Sequence, residues 1–251
     1  NKTGHIVVDN TATAKDIRFI LGSDSADTEA VKIRNNSGAN KWICDAAGNV
    51  SGSGTLLKDT GGSSVLTLSG ANTYEGVTTV NAGTLKITHI TGLGTVDGGT
   101  VVGASGILEI AGVAVANAEA LTLNGTLRGS GTSSFAGVTT LGSSSTIDVA
   151  SGGAFTMSEN ITDGASAFNI TKTSAGNLIL TDAVNSYDGT TTISAGTLTI
   201  SGAGTLDSGD YDANIINNAA LVYSSSATQS FDGVISGSGT LLKDTGGSSV
   251  L

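Results

Sequence analysis

Residues 51–88 read SGSGTLLKDTGGSSVLTLSGANTYEGVTTVNAGTLKIT, and parts of this stretch return twice further along the chain. The first part, SGSGTLLKDTGGSSVL, spans residues 51–66 and recurs without change at residues 236–251. The later part, from Leu66 to Ile87, is echoed with substitutions by residues 178–200. Repetition on two scales, a short strand–turn phrase within a long unit over residues 51–235, indicates a repeat protein.

The composition separates this chain from both an ordinary globule and a disordered polymer. Of its 251 residues, 37 are glycine, 35 threonine and 31 serine, and none is proline. So many small polar residues are typical of disordered linkers. Hydrophobic residues nevertheless make up 38% of the chain, and they alternate with polar residues in short runs. That alternation predicts strands around a core, and hence an all-β fold.

From Ser51 onward, short strand-like runs alternate with corners of glycine, asparagine or aspartate. The predicted strands include residues 54–57, 65–68, 78–80, 84–87, 100–102, 106–110, 120–123, 146–149 and 214–216. Such strands, at steps of about ten residues, occur in sandwiches, barrels and solenoids. A solenoid is favoured because one phrase recurs, glycine stands at the corners, and the outward positions hold Thr, Ser and Asn instead of charge. The absence of proline agrees, because a stacked strand uses every backbone N–H.

Residues 1–50 lie outside the repetition. They do not match residues 186–235, as strict repetition of the long unit would require. Because a solenoid must cover the open end of its core, we expect residues 1–50 to form atypical N-terminal capping coils. Residues 51–235 then form one repeat unit, and residues 236–251 begin the next copy. Strands are predicted within the cap over residues 5–8, 17–21 and 30–34.

The repeated phrases resemble a known bacterial repeat. The motifs are Gly-Ser-Gly-Thr-Leu-x-Lys at residues 52–58, Leu-Thr-Leu-Ser-Gly-Ala-Asn-Thr-Tyr-x-Gly at 66–76 and Thr-Thr-Val-Asn-Ala-Gly-Thr-Leu at 78–85. They are similar to the strand repeat in passenger regions of bacterial autotransporters and related surface adhesins. The similarity is specific over residues 51–88 and 169–251 and weaker between them. It implies a right-handed parallel β-helix, secreted and standing off the cell surface as a stalk or adhesin.

Charge and side-chain chemistry narrow the functional classes. A net charge of −10 with 11 scattered basic residues disfavours nucleic acid, because phosphate binding needs clustered Lys and Arg. No apolar run reaches the roughly 18 residues of a membrane span, so we expect no membrane insertion by this segment. His5 and His89 have no Cys or carboxylate at ligand spacing, and Cys44 has no catalytic signature near it. We therefore predict no enzymatic activity, no catalytic residue and no bound cofactor.

The best candidate for a metal site is the acidic loop at residues 207–212, Asp-Ser-Gly-Asp-Tyr-Asp. Alternating carboxylates in a glycine-containing loop suit calcium, which takes several oxygen ligands. The loop lacks the closing glutamate of a full calcium loop and the glycine–aspartate nonapeptide of calcium-binding β-rolls. We favour a solvated loop and keep calcium at Asp207, Asp210 and Asp212 as the alternative. A weaker version of the pattern consists of Asp24, Asp27 and Glu29.

These features favour a structural role at a bacterial cell surface. We expect a secreted β-solenoid that forms a surface stalk, an extracellular filament or a biofilm matrix fibre, and that associates with itself end to end or laterally. The alternative is an adhesin whose lateral face binds a glycan or a host surface. The aromatic residues that such a site would use are too dispersed to define it: Tyr74, Tyr187, Tyr211, Tyr223 and Trp42. A third class, a β-helix enzyme acting on polysaccharide, needs converging carboxylates that the sequence does not place together.

Overall fold

The computed structural model describes residues 31–34, 40–44, 48–59 and 61–244. Within these ranges the regular structure is β-strand apart from one short 3₁₀ turn at Asp207–Gly209. No helix in this part of the chain is long and apolar enough to cross a membrane. The strands predicted over residues 5–8 and 17–21 lie outside the described residues.

The strands are short and follow one another closely. The first nine are β1 (Val31–Arg34), β2 (Asn40–Cys44), β3 (Val50–Gly52), β4 (Leu56–Lys58), β5 (Val65–Leu68), β6 (Thr73–Tyr74), β7 (Thr78–Ile87), β8 (Thr100–Ala111) and β9 (Ala114–Val115). The next nine are β10 (Leu121–Leu123), β11 (Thr126–Ser130), β12 (Thr132–Phe135), β13 (Thr139–Leu141), β14 (Ser145–Val149), β15 (Ala154–Met157), β16 (Ile161–Thr162), β17 (Ile170–Thr173) and β18 (Asn177–Leu180). The last eight are β19 (Thr191–Ile193), β20 (Thr197–Ile200), β21 (Asp210–Tyr211), β22 (Ile215–Asn217), β23 (Ala220–Tyr223), β24 (Ser230–Phe231), β25 (Ile235–Ser236) and β26 (Thr240–Lys243).

From β4 onward the strands stack in parallel into three faces that run along the molecule. The first face contains β4, residues 78–80 of β7, residues 100–102 of β8, β10, β13 and β16. The second face contains β5, residues 84–87 of β7, residues 107–111 of β8, β11, β14, β17, β19, β22 and β25. The third face contains β9, β12, β15, β18, β20, β23 and β26. The second face contains one strand from each of about nine coils. This stacking confirms the predicted all-β parallel β-helix.

The coils differ in length, and their corners absorb the difference. Leu121 and its partner Thr139 are separated by a shorter stretch of chain than Ser145 and its partner Ile170. Strand pairing fixes the rise per coil at about 4.8 Å whatever the coil length. Extra residues therefore emerge as loops between faces and leave the register of the strands intact.

Apolar side chains of similar shape lie directly above one another in the core. On the second face, four fully buried residues pair in succession: Leu85, Leu108, Leu127 and Ile147. Strand alternation turns every second residue inward, which produces the column. Burying one such side chain stabilises the fold by about 1.5–3 kcal/mol, so the narrow core gains the same contribution at each coil.

The outward positions of the second face carry charge. One outward column runs through four successive coils: Lys86, Glu109, Arg128 and Asp148. Lys86 Nζ lies 3.0 Å from Glu109 Oε1, and Arg128 Nε lies 2.7 Å from Asp148 Oδ2. The expectation that outward positions hold Thr, Ser and Asn instead of charge is therefore wrong for this column. Alternating signs allow neighbouring coils to pair opposite charges across one strand spacing.

In two places, a pair of strands that the sequence predicts separately forms one continuous strand. The runs 78–80 and 84–87 are joined in β7, and 100–102 and 106–110 are joined in β8. The chain bends between the first and second faces without losing its ladder, because the register shifts between Val80 and Ala82. Gly83, at φ 71°, supplies the left-handed residue of that bend, which a side chain would disfavour.

The N-terminal strands pair differently from the rest. β1 and β2 are antiparallel, as are β2 and β3, and β3 then pairs in parallel with β6. The strand predicted over residues 30–34 corresponds to β1. The capping role of residues 1–50 stays a prediction, because most of that segment lies outside the described residues.

Gly129 has no side chain, and this leaves space on the second face for the ring of Phe155 from the third face. Gly129 occupies an inward position between Ile110 and Val149, in register with both. A Cβ built on Gly129 would overlap Cβ and Cγ of Phe155, which is fully buried. The ring of Phe155 thus crosses the core because Gly129 leaves the space.

Replacing Gly129 with alanine should destabilise the protein by about 1–3 kcal/mol, because the new methyl group overpacks a closed site. Gly61→Ala is the matched control, since its added Cβ would lie 3.8 Å from Ala82 Cβ, an ordinary contact. Urea unfolding followed by circular dichroism measures both variants. Equal midpoints for the two would contradict this account of Gly129.

Candidate functional site

Three exposed carboxylates converge where the chain passes from the third face to the second face. This is the side that the first face occupies in earlier coils. Asp210 and Asp212 flank the inward Tyr211, so both side chains point outward. β21 pairs with β24 with Tyr211 opposite Phe231, which places Asp232 beside Asp212. Carboxylate oxygens of Asp210, Asp212 and Asp232 all lie within 4.8 Å of one another.

Asp207 is close to this group without belonging to it. Burial raises the pKa of the Asp207 carboxyl, and the charges of Asp188, Asp212, Asp210 and Asp163 raise it further. The structure therefore groups Asp210 and Asp212 of the predicted calcium trio with Asp232 in place of Asp207. Asp232 was not predicted because it comes from the following coil, and only strand pairing brings it there.

The converging carboxylates form an acidic edge with few of the ligands that calcium requires. Calcium takes six to eight oxygen ligands, and three exposed side chains supply at most part of that set. Like charges at this spacing repel one another unless solvent or salt screens them. The arrangement thus fits the solvated loop that the sequence favours, and calcium binding stays a prediction.

Asp212→Asn should raise the thermal midpoint at low salt, because it removes one of three mutually repelling charges. The gain should shrink at high salt as screening increases. Glu159→Gln is the control, since Glu159 is an exposed acid outside the cluster. Differential scanning fluorimetry gives the midpoints. A large rise for the unmodified chain on adding millimolar calcium, lost in Asp212→Asn, would overturn the solvated assignment.

The other residues singled out in the sequence lie apart. His89 follows β7 in a turn, where its Nδ1 accepts a hydrogen bond from the Thr91 backbone N–H at 3.2 Å. Cys44 is the last residue of β2. His5 and the weaker acidic group, Asp24, Asp27 and Glu29, lie outside the described residues.

Of the lysines whose side chains the structure describes, two are buried, and neither was predicted to be. Lys172 is fully buried, and its Nζ donates to the carbonyls of Thr173, Ser174 and Ala195 at 2.7, 2.8 and 3.1 Å. A lysine that reaches inward in this way loses its hydration, and the carbonyl oxygens replace the lost water. The signal in the sequence is strand parity, because Lys172 has the same parity as the buried Ile170.

The second buried lysine repeats the arrangement. Lys58 is 5% exposed, and its Nζ donates to Ser64 Oγ at 2.8 Å and to the Ala82 carbonyl at 2.9 Å. Ala82 and Ala195 hold equivalent places in the repeat, each followed by a left-handed glycine. The repeat lysine therefore fastens its own coil to the Ala-Gly corner of the next.

Buried asparagines bridge three coils at a time. Asn72 Oδ1 accepts from the backbone N–H of Val50 at 2.8 Å, and its Nδ2 donates to the Gly92 carbonyl at 2.7 Å. These partners belong to the coils before and after that of Asn72. The side-chain amide thus replaces a peptide unit of the ladder at a corner where the backbone turns away.

The second copy of the repeat preserves this bridge. Asn185 Oδ1 accepts from the Ile161 N–H at 3.1 Å, and its Nδ2 donates to the Thr205 carbonyl at 2.9 Å. Two residues later, the hydroxyl of Tyr187 lies 2.8 Å from Thr191 Oγ1, as the hydroxyl of Tyr74 lies 2.6 Å from Thr78 Oγ1. The Asn, Tyr and Thr residues that the two copies share at this corner are therefore the ones that form its buried hydrogen bonds.

The tyrosines that the sequence leaves dispersed are inside the helix. Four rings lie in a continuous edge-to-face series, with centroids 6.0–6.4 Å apart: Tyr187, Tyr211, Phe231 and Tyr223. Tyr74 is also buried. Stacking of a sugar ring needs an exposed aromatic face, so the four buried tyrosines provide no such platform.

Burial also shifts the pKa values of several core groups. The pKa of Lys172 is lowered from 10.5 to about 8, because burial disfavours the ammonium more than the Asp148 charge favours it. Burial raises the pKa values of Tyr74 and Tyr211 from 10.0 to about 12. Burial also raises the pKa of Glu119. The hydrogen bond that Thr100 Oγ1 donates to Glu119 Oε1 lowers this pKa, but by less than burial raises it.

Thermal stability should reach a maximum near pH 10. Above pH 8 the unfolded chain holds the Lys172 proton more tightly than the folded one, so stability rises until the unfolded lysine also titrates, near 10.5. Unfolded tyrosines ionise near pH 10.0 and the buried ones near 12, so stability falls across that range. Lys172→Met should abolish the rise and keep the fall. Identical slopes for parent and variant between pH 8 and 10, by scanning fluorimetry, would refute the assignment to Lys172.

The comparisons with known proteins agree with this architecture. A family described as the passenger-associated-transport-repeat matches residues 61–87 and 170–200. The chain is 36% identical over 204 residues to the adhesin BmaC autotransporter of Brucella suis biovar 1 (strain 1330). The alignment covers 78% of this chain and 5% of that protein, so the chain spans a small part of its relative. No solved structure matches.

The two matched segments are the ones that contain the duplicated corners. Residues 61–87 include Asn72 and Tyr74, and residues 170–200 include Lys172, Asn185 and Tyr187. The family pattern therefore coincides with the buried hydrogen bonds that join coils. The chain therefore carries the passenger-associated-transport-repeat twice, and both copies are stacked in one parallel β-helix.

Proposed function

We propose that the chain is a segment of a secreted, rod-like adhesin that stands off a bacterial cell surface. The observation that carries this proposal is the uninterrupted stack of about nine coils. At about 4.8 Å per coil the described stack extends for about 43 Å. A continuous backbone ladder gives a stiff element of fixed length, which is what a surface stalk needs. The similarity to an autotransporter adhesin supports the extracellular location.

We assign the segment no catalytic activity. Its most unusual polar side chains, Lys58, Lys172, Asn72 and Asn185, are buried and hydrogen-bonded to the backbone of neighbouring coils. They are therefore used to hold the fold. The acidic edge brings carboxylates together at an exposed corner.

Glycan binding through a lateral face is the second candidate. The observation that favours it is a row of half-buried threonines, one per coil, on the outer side of the second face: Thr126, Thr146, Thr171 and Thr192. Hydroxyls repeated at one strand spacing offer donors and acceptors along an extended chain. Because the four tyrosines are buried, recognition here would depend mainly on polar contacts.

Self-association is the route by which such rods would form a filament or matrix fibre. The last described coil exposes apolar side chains, with Val234 65%, Leu241 42% and Leu242 54% exposed. Exposed apolar groups favour contact with another chain. We propose that residues 236–251 take part in end-to-end contacts.

Electron microscopy and sedimentation velocity of the purified chain test the assembly. The chain should form particles longer than a single rod of about 43 Å. A variant lacking residues 236–251 should remain single, because it loses β26 and the exposed leucines. An unchanged assembly state in this variant would show that residues 236–251 are not the contact.

A glycan array probed with the same two proteins distinguishes the candidates. Binding by both would favour the lateral face, which the deletion leaves intact. Attachment of coated beads to cultured cells without any glycan signal would instead favour a protein receptor. If neither glycan binding nor bead attachment were observed, the adhesive part of the proposal would be wrong and the segment would serve only as a spacer.

A further inference from the structure

The charge column on the second face is a short pattern with an uncharged residue at each end. Its signs alternate from coil to coil through four residues: Lys86, Glu109, Arg128 and Asp148. Thr67 pairs with Lys86 at one end of the column, and Thr173 pairs with Asp148 at the other. The column therefore consists of two cations and two acids and is bounded by threonine on both sides.

The charges of this column remain accessible from outside. Lys86 contacts Glu109 and Arg128 contacts Asp148, which leaves the two cationic side chains 35% and 33% exposed. The acidic side chains of the same pairs are 12% and 13% exposed. The column thus has room for a second set of charges on its outer side.

An alternating column of four charges is complementary to itself when it is reversed. From Lys86 to Asp148 the signs run plus, minus, plus, minus, and in the opposite direction they run minus, plus, minus, plus. A two-fold axis that lies across the face between Glu109 and Arg128 therefore brings opposite charges together at all four positions. In such a contact Lys86 of one copy faces Asp148 of the other, and Glu109 faces Arg128, because a two-fold contact is reciprocal.

Copies that run in the same direction do not match in this way. In register, each charge of the column would face its own equivalent, and like charges facing each other oppose association. A shift by one coil would bring three pairs of opposite charges together and leave Lys86 of one copy and Asp148 of the other facing threonine. The charge pattern therefore selects the antiparallel arrangement.

The neighbouring outward column is compatible with that arrangement. It carries no charge in the same six coils: Val65, Thr84, Ile107, Thr126, Thr146 and Thr171. The same two-fold axis places Ile107 against Thr126, and Thr84 against Thr146. Nothing in this column repels a second copy.

We propose that the second face binds a second copy of this chain in antiparallel orientation. The inference rests on the self-association in the proposed function and names the lateral surface that it uses. Because each chain carries a net charge of −10, two rods repel each other unless a local contact brings opposite charges together. The self-complementary column provides such a contact, and this is the reason for choosing a second copy as the partner.

The size and polarity of the surface set the strength of this contact. Six coils of four-residue strands give each partner an area of about 400 Å². A stable interface commonly buries about 800 Å² per partner, so the contact is weak for a single segment. Its attraction is strongest at low ionic strength and declines as salt screens the charges. The end-to-end contact can therefore be tested separately, at physiological salt.

Two charge-reversal variants of the full chain, Lys86→Asp and Asp148→Lys, test the arrangement. Alone, each variant places like charges together at both ends of the antiparallel contact, so the dimer that the parent forms at low salt should be lost. An equimolar mixture should restore it, because the acid introduced in one variant faces the lysine introduced in the other. Sedimentation velocity at about 10 mM salt, with a fluorophore on one variant, measures the mixed dimer.

The matched control is Glu159→Lys, which changes the net charge as Asp148→Lys does and lies outside the column on an exposed residue. This variant should dimerise like the parent. Circular dichroism confirms that the reversal variants are folded. If either is not, the double variant Lys86→Gln, Asp148→Asn replaces them, and it should dimerise more weakly than the parent.

A monomeric mixture of folded variants, a monomeric parent at low salt or an unweakened dimer of the double variant would overturn the proposal. A monomeric parent whose glycan binding is lost in both reversal variants would assign the face to a glycan instead. These outcomes are independent of the adhesive function. Absence of glycan binding and of bead attachment would leave the mixed dimer unchanged, and a monomeric mixture would leave bead attachment by the parent unchanged.

Discussion

The parallel backbone ladder between successive coils is the constraint on which the rest of this structure depends. Each strand from β4 to β26 pairs in parallel with a strand of a neighbouring coil. The ladder fixes one strand spacing per coil and leaves room for only a thin core. Side chains in that core must then stack on equivalent side chains above and below, which explains the columns of leucine and isoleucine.

The corners are where the ladder alone is insufficient. Backbone groups that turn away from a strand still need partners when they are buried. Asn72 and Asn185 supply them by bridging the coil before and the coil after. Lys172 supplies three donors to corner carbonyls, and the lowered pKa of its ammonium shows the cost of burying it. Both devices recur because each copy of the phrase meets the same corner problem.

The burial of the four tyrosines limits which side chains the lateral surface can offer to a partner. The lateral surface offers threonine rows, the charge column from Lys86 to Asp148 and the acidic edge near Asp212. Any partner of a lateral face would therefore be recognised by hydroxyl and charge contacts, with the apolar contribution confined to positions such as Leu57 and Val65. A rod with this surface resembles a spacer that carries weak, repeated polar contacts.

The sequence by itself determined the fold class and the repeat. The alternation of apolar and polar residues, the corner glycines and the repeated phrase at residues 51–88 predict short stacked strands. These features are visible in the sequence because backbone preference and strand parity depend on neighbouring residues. Parity also carried the signal for Lys172, although a lysine is rarely expected inside. The acidic loop at residues 207–212 was recognised in the same way, as a local pattern.

Only the tertiary structure decided which coil lies beside which. It joined Asp232 to Asp210 and Asp212 and paired Lys86 with Glu109. It also gathered three of the four tyrosines, with Phe231, into one series of ring contacts. It also set identical letters on different faces, at Leu57 and Leu242. The physical reason is that coil length varies from corner to corner, so the residue stacked above a given position is fixed by strand pairing and not by a constant spacing in the sequence.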